Sequence, residues 1–257
     1  MSATATVTET VERVFKPIQQ FTRGWMMNPD TDRFGRDELG LTESRQFWVV
    51  GRAGVLGSCP TDVAVGAIAF VAPEVVKPAW ENLPAGLTHL DIAHHYHSRI
   101  VAWGAEALTM FDPDRLERID LLGRRIIDAA PASLGPLFTG WRAMPAPEAV
   151  GPRVALTTHI LREMRGAAHI AAITAVGLTP LDAVLASTNA PPRTGPAYAE
   201  QMGFTGPFRD VAEIKDRRLE AEALTASALE PYFALLSAVE LAEFGELVES
   251  TRNAIDM

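Results

Sequence analysis

The sequence has a single cysteine, Cys59, among 257 residues. An internal disulfide is excluded, and so are CxxC metal or redox motifs. A lone cysteine fits a reducing cytoplasm, and Cys59 reads as a small core residue rather than a nucleophile. Long apolar runs are also missing. None reaches the roughly 18 residues that a membrane helix needs, and the most apolar stretch, Val63 to Val76, is broken by Pro73 and Glu74. The first twelve residues are rich in Thr and Glu, without a basic start or an apolar stretch, so they do not read as a signal peptide. Strand signals are scarce, with no Asn-Gly or Asp-Gly hairpin. Positive charge is in deficit: 23 Lys and Arg against 32 Asp and Glu give a net charge of −9. That argues against broad attraction to nucleic acid or an anionic membrane. No nucleophile elbow, Walker loop or HExxH is present.

What remains is helical. Apolar residues make up 47% and charged residues 21%, ordinary globular usage, and the chain is long enough to bury a core without staples. The expected fold is an all-α multi-helix bundle of one or two packed helical units with helix-turn-helix-like elements. Residues 1–130 would form the first unit and 148–257 the second, with the Pro/Gly/Ala-rich stretch 131–147 as the hinge. The spacing predicts helices over Thr6–Phe21, bent or broken at Pro17, Thr42–Val55, Leu87–Met110, Arg115–Ala129 behind the Asp112-Pro113-Asp114 cap, and Val154–Ala175. Shorter helices begin at Pro60-Thr61-Asp62, Pro73 and Pro180, and three more cover Phe208–Thr225, Ala226–Leu236 and Val239–Ala254. Asn28–Leu39 reads as a polar loop. Gly51, Gly54 and Gly57 form GxxGxxG, but the preceding segment is helical, so close helix packing explains them better than a dinucleotide site.

The six histidines fall in two places. His89, His94, His95 and His97 lie on one predicted helix, where Asp91, His94 and His97 share an edge at about 60° steps. Such an edge could hold a divalent metal; a wet, histidine-rich surface is the alternative. His159 and His169 lie on another helix, on a stripe about 120° wide that also carries Arg162, Glu163 and Gly166. Glu163 and His169 are the candidate proton-transfer pair. His159, Arg162, Arg165 and Gly166 are candidate ligand contacts, the guanidinium groups pairing with an anion. A mid-helix Gly166 costs about 1 kcal/mol relative to Ala, which suggests that something approaches the backbone there. A buried ion pair of Arg162 or Arg165 with Glu163 that fixes packing is the competing account.

Three stretches stand in a recognisable order: GRAGVLGSCP from Gly51, AIAFVAPEVVKPAWENLP from Ala67, and LREMRGAAHIAAITAVGL from Leu161. They resemble an actinobacterial family that carries a helix-turn-helix label and is also called SalK-like, over roughly residues 13–230. The resemblance implies that Arg162, Glu163, Arg165, Gly166 and His169 are the family's recognisable positions. Some members carry histidines near Gln19 and at Met164, which this chain lacks, so any role they have is not carried over.

Three functions follow. The first is a cytoplasmic helical protein holding a small molecule or prosthetic group between helices, with Arg162, Glu163 and His169 facing it; no particular cofactor is implied. The second is a DNA-binding regulator, for which His169 to Ser187 has the helix–Gly turn–helix outline. Yet Leu178 to Thr188 carries only Asp182 as a charge, and Thr61 to Glu81 only Lys77 as a base. The third is an acid–base or metal-assisted enzyme using Glu163 with His169 or His159. Glu240, Glu243, Glu246 and Glu249 would be a solvated face or the rim of an interface, and a homo-oligomer is the expected macromolecular partner if there is one.

Overall fold

Prolines and short polar side chains mark where the helices begin. Pro29, Pro73, Pro113, Pro136 and Pro180 each occupy a first helical position, where the missing N–H breaks no helical bond. The computed structural model describes residues 7–189 and 192–255. Among these residues the chain forms thirteen α-helices and no strand. They are α1 (Val7–Met26), α2 (Pro29–Asp37), α3 (Gln46–Ala53), α4 (Thr61–Ile68), α5 (Pro73–Glu81), α6 (His89–Ala107), α7 (Pro113–Ala129), α8 (Pro136–Arg142), α9 (Val150–Ala175), α10 (Pro180–Leu185), α11 (Gly195–Gln201), α12 (Lys215–Phe233) and α13 (Ala238–Ile255). The expected all-α class holds.

Four expectations about elements are corrected. Asn28–Leu39 is not a loop, because Asn28 Oδ1 accepts from the Asp30 N–H at 2.9 Å and caps α2, whose acidic first turn and basic last turn suit the helix dipole. Pro17 does not end α1; the packed face of Val14, Phe15, Ile18, Phe21 and Trp25 carries the helix through it. The third helix starts at Gln46 rather than Thr42, since Arg45 takes a left-handed turn at φ 55°. The two helices expected either side of Thr225 are one, α12, because no breaker separates them.

The chain divides into two compact units, and neither is a continuous segment. The first comprises the residues up to Asp32, His94–Ala167 and those from Ala226. The second comprises Arg33–Ala93 and Ala168–Thr225. This grouping differs from the expected 1–130, 131–147 and 148–257. The Pro131–Pro147 stretch is not an exposed hinge: it contains α8, and Trp141 is fully buried there. Pro131, Gly135 and Pro136 stand at helix starts.

In the first unit α9 is the central helix, since Val154 through Leu161 are buried on every side. It packs against α7 where Gly123 makes room, a Cβ there lying 2.5 Å from Thr157 Cγ2. Arg118 binds Glu243 through both carboxylate oxygens, and Arg125 pairs with Glu240, so α7 and α13 are tied together. In the second unit α3, α4 and α5 form a small helical group, and a further core gathers Ile173, Leu178, Val184, Leu185, Ile214 and Ala221. The GxxGxxG expectation is met at Gly54, where a Cβ would stand 2.1 Å from the His89 carbonyl oxygen.

Candidate functional site

The polar stripe of α9 divides between the two units. His159, Arg162, Glu163, Arg165 and Gly166 belong to the first, and His169 to the second. Helical geometry puts Glu163 and His169 about 120° apart and about 9 Å along the axis. The pair with matching geometry is instead His159 with Glu163, one turn apart on α9.

His159 has none of its surface exposed. Its imidazole lies edge-to-face against Trp25 of α1, with ring centres 5.1 Å apart, and against Trp141 of α8, at 4.3 Å. Tyr96 of α6 completes the aromatic enclosure at 4.8 Å from Trp25 and 6.2 Å from Trp141. Glu163 is 2% exposed, and its Oε1 lies 3.9 Å from His159 Nε2. That is a charge contact, too long for a hydrogen bond. Arg162 Nη1 donates to the same Oε1 at 2.7 Å. A carboxylate fixed by a guanidinium, one step from an imidazole that is itself walled by indoles, can hold a polar ligand group or pass a proton. Arg165 is half-buried, and two residues on from Glu163 it points to a different side of α9. At Gly166 no atom lies within 4 Å of where a Cβ would stand. No neighbouring helix presses on this glycine, and the space beside it is open.

His169 is 5% exposed. Its Nδ1 lies 2.8 Å from Thr225 Oγ1. That hydroxyl donates its one proton to the Ala221 carbonyl at 2.6 Å, so Nδ1 carries a proton and donates to Thr225. Phe70 lies against the ring with centres 5.6 Å apart.

The Asp91–His94–His97 edge is not assembled as a ligand set. Asp91 Oδ2 accepts from the Thr88 N–H and hydroxyl and caps α6. His94 is exposed and His97 half-buried. Burial pushes the His97 imidazole below its usual range, the Pro145 carbonyl opposing and His94 adding to the shift. Among the described residues no group of three or more His, Cys, Asp or Glu side chains is arranged to hold a metal ion. Burial likewise raises the Cys59 thiol, which makes it a poorer nucleophile.

The helix-turn-helix outline expected at α9–Gly177–α10 exists, with Gly177 at φ 70° and Thr179 and Asp182 in a reciprocal cap. However, α10 has six residues, and Asp182 to Leu185 are buried, so it cannot enter a groove. The arrangement expected of a DNA reader lies at α4 and α5, joined by the four residues 69–72 and packed against α3. On α5, exposed Glu74 and Glu81 outnumber Lys77, which lies 3.6 Å from Asp62. The start of α5 is also covered: the Ala72 N–H donates to the Met202 carbonyl at 2.9 Å, and Gly203 sits so close that a Cβ would stand 2.4 Å from Val75 Cγ2. In the basic cluster on α7, Arg118, Arg124 and Arg125 are spent on Glu240, Glu243 and Asp120. No helix among the described residues is long and apolar enough to cross a membrane.

Sequence reasoning placed Glu163, Arg162 and His159 together but did not join Trp25, Tyr96 and Trp141 to His159 as its enclosure. No local signal links those positions, which lie on three other helices. In comparison with known proteins, no curated protein and no solved structure matches the chain. A family model described as a helix-turn-helix family matches residues 8–230. The chain therefore belongs to this helix-turn-helix family.

Proposed function

We propose that the chain is a cytoplasmic ligand-binding member of its family, holding a small molecule beside α9 in the first unit. The observation that carries this reading is the buried Glu163, 3.9 Å from a wholly buried His159 that Trp25 and Trp141 enclose. Taking a carboxylate and a titratable ring out of water costs several kcal/mol per charge, and apolar side chains would fill the same volume without that cost. Polar groups in such surroundings cluster at functional sites. The open space at Gly166 leaves the same stripe uncovered there. The resemblance to the SalK-like subgroup points at the same residues, Arg162, Glu163 and Gly166, without naming a ligand.

Native mass spectrometry with an absorbance scan, run on freshly purified protein and on Glu163→Gln, tests this. A bound mass or chromophore in the parent that is lost from a folded Glu163→Gln variant supports the reading. A clean apo mass in both, together with no ligand found by screening, leaves the pair as a packing device.

The DNA-reading alternative has the α4–α5 geometry in its favour. The acidic outer face of α5 and its covered start weigh against it.

A further inference from the structure

The turn between α4 and α5 sets a strained residue beside the aromatic ring that covers His169. Ala69 takes φ 54° and ψ −59°, and the Phe70 N–H donates to the Ile68 carbonyl at 2.7 Å. This is a γ-turn of the rare hand, which a Cβ makes costly. Glycine adopts positive φ without that cost, yet the position carries alanine. The next residue, half-buried Phe70, lies against the His169 ring with centres 5.6 Å apart. His169 itself is buried, its Nδ1 2.8 Å from Thr225 Oγ1. On either side the turn is anchored. Ile68, Val71 and Ala72 are buried, and the Ala72 N–H donates to the Met202 carbonyl at 2.9 Å. Relaxing Ala69 to a negative φ would turn the peptide that leads into Phe70, break one hydrogen bond and lift the ring from His169. All of these residues belong to the second unit.

We propose that the α4–α5 turn is a gate over His169. Closed, it is held by the packing of Phe70 against the strain at Ala69. Open, it relieves that strain and admits solvent to the imidazole. The two states differ at two adjacent residues between fixed neighbours, so the change is a local opening and needs no global unfolding. The gate stands apart from the ligand-binding reading, which concerns the first unit.

The test is carbethoxylation of the full chain by diethyl pyrocarbonate at one pH, with the reacting histidines identified by peptide mass spectrometry. Exposed His94 reports the activity of the reagent in every sample. His169 should react slowly in the native protein, at a rate that low urea hardly changes, because a local opening exposes little surface. Ala69→Gly lowers the strain of the closed turn and should slow His169 at least threefold. Phe70→Ala removes the cover and should speed it at least tenfold, with the fold checked by circular dichroism; Phe70→Leu takes its place if the alanine variant does not fold. Once Phe70 is replaced, adding Ala69→Gly should no longer change the rate, since no ring is left to move. A His169 that reacts only as urea unfolds the whole chain overturns the proposal. So does an Ala69→Gly rate that is unchanged or raised, or one that is slowed equally with and without Phe70.

Discussion

Single residues give opposite expectations at two helical glycines. Gly166 stands beside open space, so a Cβ there meets nothing. Gly166→Ala should stabilise the unliganded protein by about 0.5–1 kcal/mol, the intrinsic helix preference. If a ligand occupies that space, the same change should weaken retention of that ligand while raising the melting temperature. Thermal unfolding paired with native mass spectrometry separates the two effects. Gly54 is the reverse case, because its Cβ would stand against the His89 backbone oxygen, which cannot rotate away. Gly54→Ala should destabilise by about 2–3 kcal/mol through overpacking, read from a denaturant midpoint. An unchanged midpoint would show that α3 and the start of α6 do not approach as closely as described. The sequence marked both positions as unusual for a helix, but periodicity alone could not say which was packed and which was open.

At the scale of an element, the ends of helices were the legible part. Asp112 accepting from the Asp114 N–H and the Thr179–Asp182 pair are signals contained within three or four residues. α2 was missed because its short polar pattern resembles a loop unless Asn28 is recognised as the cap. The acids of α13 were read as a solvated face, since their partners on α7 lie more than a hundred residues away. Glu240 illustrates the consequence. It accepts from the Ser237 backbone and hydroxyl and from Arg125, and these hold its carboxyl at about 2, below the usual 4.5. Its folded value is depressed, so its stabilising effect is present above about 4.5 and is lost as the pH falls towards 2. Acid unfolding should therefore steepen across that window. Glu240→Gln, which cannot ionise, should show a shallower pH dependence there and lower stability at neutral pH. A parallel pair of curves would mean that the Glu240 interactions do not survive in solution.

The whole molecule sets the last constraint, because a family label describes a shape and leaves activity open. Two discontinuous units were not legible in the chain order, since the residues that join each unit are brought together only by folding. The walls of the α9 site escaped for the same reason. Charge, by contrast, was legible from the start and makes a prediction about DNA. Specific or not, DNA binding draws on several phosphate contacts and falls steeply with salt. This chain carries −9, pairs Arg118, Arg124 and Arg125 of α7 with acids, and covers the start of α5 with Met202 and Gly203. Duplex DNA on a column should therefore fail to retain the purified protein even at about 50 mM salt, a condition that exaggerates surface electrostatics. Retention that is strong at that salt, fades by about 200 mM and is lost in Lys77→Glu would restore α5 as a reading helix. Retention indifferent to salt and to Lys77 would not, because phosphate recognition without counterion release has no physical basis.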